Sequence, residues 1–171
     1  MRVAVTGTPG TGKTTATRLL EPDHEVIHLN EVLEAEGLYT DVDEERDSVV
    51  ADLEALGAWL EGRDDVVIES HLAHHVDADR VAVLRCRPAD LEARLIERGE
   101  SDAKARENAE SEALDVILTE AVESHGLESV YEIDTTDREP EAVASELEAV
   151  IGGEREPSAG EVDFLAYLDD R

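Results

Sequence analysis

The residues best placed to do chemistry stand in one run near the start of the chain. Gly7-Thr8-Pro9-Gly10-Thr11-Gly12-Lys13-Thr14 has the spacing G-x-x-x-x-G-K-[ST], with the β-prone run Val3-Ala4-Val5 before it and a helix-compatible stretch after it. In that context the run is a phosphate cradle. Gly10 and Gly12 let the backbone turn its N–H groups onto phosphate oxygens, and the helix start adds partial positive charge. Lys13 neutralises the β- and γ-phosphates, and the Thr14 hydroxyl is offered to Mg2+. Lys13 and Lys104 are the only two lysines, against thirteen arginines. A composition that avoids lysine still keeps one where a compact ammonium on a flexible stem is needed.

Phosphoryl transfer needs a second group, an acid at the C-terminal end of a neighbouring buried strand, facing the metal. Val66-Val67-Ile68 delivers Glu69 to such a place, followed by Ser70 and His71. Two roles are open to His71: orienting a water or the Mg2+ shell, or packing and capping. His71-x-x-His74-His75 has metal-like spacing. No cysteine and no evident carboxylate completes a tetrahedron, so a structural zinc is not expected. Negative charge on a transferring phosphoryl group calls for guanidinium clamps. Arg98 stands at a helix end where it could close on ATP, with Arg94, Lys104 and Arg106 nearby. Arg46 is the one cation in the polar stretch 40–48, and an acceptor phosphate is one partner open to it.

These residues need a scaffold, and the apolar runs supply it. Strands are expected over 3–5, 25–29, 65–69, 80–86 and 130–133, alternating with helices over 13–20, 31–36, 49–62, 89–98 and 140–151. The alternation predicts an α/β fold, a P-loop NTPase with a five-stranded parallel sheet flanked by helices. Asn30 is expected as an N-cap, and Pro88 and Gly99 as the two ends of one helix. Trp59 reads as a packing residue. Residues 101–124 read as one long helix whose first ten residues have almost nothing to bury, which makes them a candidate mobile flap. Residues 1–151 form the predicted domain, and Gly152, Gly153, Pro157 and Gly160 mark a linker within 152–171. Beyond it, 162–168 is expected to form a short helix docked on the domain's own surface.

Length and composition bound the rest. Leu, Ile, Val and Phe make up 43 of 171 residues, enough for one well-packed domain. Forty-four acidic residues against fifteen basic ones give a formal net charge of −29. The acids are spread evenly, as in a protein of a molar-salt cytoplasm, where a screening length of ~3 Å makes the self-repulsion tolerable. With no basic patch to replace counterions, non-specific nucleic-acid binding is not expected. Cys86 is alone, so no intramolecular disulfide is expected, and no apolar run approaches spanning length. A cytoplasmic protein without membrane contact is the expectation.

Taken together, the loop Gly7 to Thr15, the segment Asp43-Glu44-Glu45 after Leu38-Tyr39, the strand end Glu69-Ser70-His71, and Glu97-Arg98-Gly99-x-Ser101 with Glu107-Asn108 resemble the adenylate kinase isoenzyme 6 family. The similarity covers about residues 2–151. It implies a small nucleoside-monophosphate-kinase core with an NMP-binding segment at about 30–53 and a LID at about 99–109. It implies phosphoryl transfer from ATP to a nucleoside monophosphate, with Mg2+ and an ATPase side activity. It also implies a part in late small-subunit maturation, with a small-subunit ribosomal protein as partner. The alternative within the same resemblance is an assembly ATPase switch whose kinase activity is incidental. Carried over residue by residue, ATP contacts fall on Gly10, Gly12, Lys13, Thr14, Thr15 and Arg98.

Overall fold

The computed structural model describes residues 1–43 and 48–169. Strands β1 (Arg2–Thr6) and β2 (Glu25–His28) enclose helix α1 (Lys13–Thr17), and helix α2 (Leu29–Ala35) follows directly. A hairpin, β3 (Tyr39–Asp43) and β4 (Ser48–Ala51), leads into α3 (Leu53–Leu60), β5 (Val66–Glu69) and β6 (Arg80–Arg85). Helices α4 (Pro88–Glu97), α5 (Asp102–Ala113) and α6 (Val116–His125) precede β7 (Val130–Asp134), α7 (Pro140–Ile151) and the short α8 (Ala166–Asp169). The five predicted strands form one parallel sheet in the order β2-β5-β1-β6-β7.

Alternation along these strands splits the core in two. Ala4, Val66, Ile68, Val81 and Val83 face one side, where Leu33, Leu56, Leu60 and Leu118 from α2, α3 and α6 cover them. Val3, Val5, Val67, Ala82 and Leu84 face the other, under Ala16 of α1 and Val143, Leu147 and Val150 of α7. A sheet buried on both faces explains why its strands read as continuous apolar runs. Trp59 packs against the first layer, with the Arg63 guanidinium 3.9 Å from its ring centre.

Four local expectations are corrected. The polar stretch after Tyr39 includes an antiparallel hairpin, so α3 begins at Leu53, capped by Asp52 accepting from the Ala55 N–H at 3.1 Å. Asn30 lies inside α2, not at its cap, and its side chain accepts a hydrogen bond from Ser70 Oγ at 2.7 Å. The long helix is two, broken where Asp115 takes the left-handed conformation at φ 56°. The first ten residues of that stretch, expected to bury almost nothing, bury Ala105 and Ala109 completely; small side chains let α5 lie close against α4.

The chain beyond α7 is docked on the domain. The carboxylate of Glu132 accepts from the Glu161 and Val162 backbone N–H groups, and the Tyr167 hydroxyl donates to Glu92 of α4 at 2.6 Å. Among the described residues no helix is long and apolar enough to cross a membrane.

Candidate active site

The loop between β1 and α1 has room for no side chain at its first turn. Gly7 sits at φ 147°, and a Cβ there would lie 2.6 Å from the Leu84 carbonyl oxygen. At Gly10 a Cβ would press on Leu91 of α4 at 2.9 Å. The turn brings two carbonyls under Lys13, whose Nζ donates to the oxygens of Gly7 (2.9 Å) and Thr8 (3.1 Å). Lys13 is only 7 % exposed. Burial lowers its pKa to about 8, although the carboxylates of Glu69 and Glu112 pull the other way.

One residue on, the Thr14 hydroxyl donates to Glu69 Oε1 at 2.9 Å. The register of β2 on β5 sets His28 opposite Glu69, and His28 Nδ1 lies 2.8 Å from the same oxygen. A hydroxyl and a carboxylate at the C-terminal end of the sheet are hard oxygen donors of the kind Mg2+ takes, so this pair fits the ion. His71 follows, partly buried, its pKa held down to about 4 by burial, with the Lys13 charge acting in the same direction. Its ring is therefore neutral at pH 7, and among the described residues it makes no hydrogen bond.

Gly10, Gly12 and Thr15 line a cleft of about 270 Å³ together with Arg94, Arg98 and Arg138. Pro140 and Val143 give it an uncharged wall, and Arg94 donates to the Gly10 carbonyl at 3.2 Å. The structure thus brings Arg98 to the loop, with Arg94 and Arg138 beside it. Lys104 pairs with Glu100 at 3.4 Å, and Arg106 stands 4.0 Å from Glu92. Arg46 lies outside the described residues. A larger hollow of about 860 Å³ opens at the other end of the sheet, around Arg2, Gly62 and Asp79. It contains none of the phosphate-loop residues, and the Arg2 side chain there is engaged by the Leu60 and Arg63 carbonyls.

Three site residues were not anticipated by sequence reasoning: His28, Arg85 and Glu112. Glu112 of α5 reaches the back of the loop, accepting from Thr8 Oγ1 at 3.2 Å, Arg85 Nε at 3.3 Å and the Cys86 N–H at 2.8 Å. Arg85, 1 % exposed, also pairs with Glu132 at 2.7 Å and with Asp115. Burial pushes the Glu112 pKa up, opposed by Arg85 and by the N–H and hydroxyl donors. One signal was available: Ala105, Ala109 and Glu112 share a helical face, so the acid stands on the stripe that packs inward.

Comparisons with known proteins bear on the family and the fold. Residues 3–115 match the family described as AAA domain. A protein of Natronomonas pharaonis named "Putative adenylate kinase" is 67 % identical over 168 residues, spanning 98 % of this chain and all of that one. Its namesake in Archaeoglobus fulgidus is 44 % identical over 176 residues, covering all of this chain and 96 % of the other. Among solved structures, a deoxyadenosine kinase from M. mycoides with bound dATP superposes with a TM-score of 0.59 at 11 % identity, over 89 % of this chain and all of that one. A gluconokinase from Sinorhizobium meliloti gives 0.53 at 15 % identity, over 99 % of this chain and 97 % of the other. At such identities the two structures speak to the fold alone.

Proposed function

The chain belongs to the archaeal family of these relatives, P-loop proteins of the adenylate kinase isoenzyme 6 type, and from that premise we propose that it transfers the γ-phosphoryl group of ATP to a nucleoside monophosphate, AMP first. The observation that carries this reading is the meeting of Thr14 and Glu69 at 2.9 Å beside the buried Lys13 ammonium. The loop N–H groups and Lys13 hold the phosphates, whose oxygens compete with the Gly7 and Thr8 carbonyls for the ammonium. Thr14 and Glu69 would hold Mg2+, which when bound neutralises charge on the β- and γ-oxygens. Arg98, with Arg94 one turn back on α4 and Arg138 also lining the cleft, stabilises the charge that spreads over the transferring group. An oxygen of the acceptor phosphate attacks the γ-phosphorus, the bond to the β–γ bridging oxygen breaks, and two diphosphates leave. In this reading residues 30–53, with Arg46, receive the monophosphate, and 99–109 act as the LID that excludes water.

The test is ADP formation from ATP and AMP in molar KCl. Lys13→Ala is expected to slow it by about 10²–10³-fold, as loss of a preorganised charge donor does. An unchanged rate would remove the assignment.

One observation favours hydrolysis as a second outcome. A neutral His71 with no hydrogen bond of its own among the described residues is free to orient a water, which suits an ATPase side activity. Involvement in small-subunit maturation, with a ribosomal protein as partner, rests on the family resemblance. Turnover indifferent to AMP but raised by a small-subunit ribosomal protein would make the switch the main activity. Loss of hydrolysis in His71→Ala with transfer spared would assign the water-orienting role.

A further inference from the structure

The sequence offers His74 and His75 without a carboxylate to join them; the fold supplies one from 45 residues away. The short 3-10 turn Ala73–His75 points both rings toward α6, with centroids 4.1 Å apart. Each Nε2 turns to the same atom, Glu120 Oε2, at 2.7 Å from His74 and 3.4 Å from His75. The three ligand atoms lie within 4.8 Å of one another. We propose that His74, His75 and Glu120 form a binding site for a divalent transition-metal ion of the zinc class, separate from the Thr14–Glu69 pair.

The chemistry favours such an ion on three counts. Two imidazole nitrogens and one carboxylate oxygen suit zinc and its neighbours, whereas Mg2+ and Ca2+ take all-oxygen shells. Ligand atoms about 2.0–2.2 Å from a tetrahedral zinc stand about 3.3 Å from each other. The 3.4 Å edge already has that length, and the 2.7 Å edge has to open by about half an ångström. Glu120, 40 % exposed, and His75, 30 % exposed, face solvent, so the adjustment is available and a water can take the fourth position.

The surroundings of His74 orient it as ligating histidines are oriented. Without metal, His74 Nε2–H donates to Glu120; its Nδ1 lies 2.7 Å from Thr6 Oγ1, a partner that can accept the Nδ1 proton once Nε2 turns its lone pair to a metal. His125 Nε2 donates to the His74 carbonyl at 2.8 Å, which fixes the backbone of the turn. Bound metal would fasten the turn to α6 and, through Thr6, to the last residue of β1 before the phosphate loop.

The experiment uses the untagged full chain, freed of metal with a chelator and held in molar KCl with excess Mg2+. Zinc is titrated by calorimetry while the histidine ring nitrogens are followed by NMR. One equivalent is expected to bind and to move the Nε2 signals of His74 and His75. His75→Ala and Glu120→Gln, both on the solvent side, are each expected to weaken binding at least about ten-fold while melting as the unliganded parent does. Absence of saturable binding at one equivalent overturns the proposal, as does an equivalent that both variants retain. If a variant fails to fold, the wild-type NMR decides: binding that leaves both Nε2 signals in place sinks the site, and the group is a hydrogen-bonded strut.

Discussion

Lys13 is a cation held by carbonyl oxygens in a place that water barely reaches, and burial brings its pKa down to about 8. Phosphate oxygens prefer the charged form, so nucleotide binding above pH 8 should draw in a proton. ATP affinity is expected to be full below about pH 8 and to weaken by up to ten-fold per pH unit above it. Calorimetry in two buffers of different ionisation heat checks this; identical apparent enthalpies at pH 9 would exclude the uptake. In the unliganded chain the sign is the reverse of the usual one. The unfolded lysine keeps its proton up to its ordinary pKa of 10.5, so this group makes folding more favourable as pH rises from about 8 toward that value. Glu112 carries a different prediction. Glu112→Ala leaves Arg85 paired with Glu132 and Asp115 but strips the Cys86 N–H and the Thr8 hydroxyl of their acceptor, and is expected to cost about 1–3 kcal/mol, read from urea unfolding with an unchanged slope. Lys13, Thr14 and Glu69 were legible because a spaced motif and a strand end mark them. Glu112 was marked only by its place on the small-residue stripe of α5, a weak signal, since its partners lie far away in the chain and acids are too common here for one to stand out.

The strands of the sheet were legible as elements because burial on both faces leaves an unbroken apolar run. The β3–β4 hairpin was hidden for the opposite reason: Asp41 and Asp43 leave it with no apolar rhythm to read. The break at Asp115 was equally invisible, because it is fixed by a tertiary contact, the pairing of its carboxylate with Arg85. The α4–α5 seam shows where hydropathy misleads, since alanine contributes little to an apolar count yet permits the closest approach of two helices. Ala109→Leu is therefore expected to destabilise the fold by about 1–3 kcal/mol through overpacking, measured as a lower denaturation midpoint. A neutral result would mean that the seam is looser than full burial of Ala105 and Ala109 indicates.

Over the whole molecule, a net charge of −29 sits on one domain, and two of its exposed arginines, Arg87 and Arg138, are paired with acids. Screening lengths grow from ~3 Å at 1 M salt to ~10 Å at 0.1 M, so the acids repel one another more strongly as salt is withdrawn. The melting temperature is expected to fall steeply between about 1 M and 0.1 M KCl. A melting curve indifferent to KCl would separate the acidity from salt adaptation. The scarcity of lysine has a practical consequence as well. Only two side-chain amines exist, and the one in the phosphate loop sheds its proton earlier than an ordinary lysine. Unprotonated amine is the nucleophile, so a mild acylating reagent with a phosphate-like tail would label Lys13 in mildly alkaline solution, and occupancy of the loop could be counted by mass spectrometry as protection from that label.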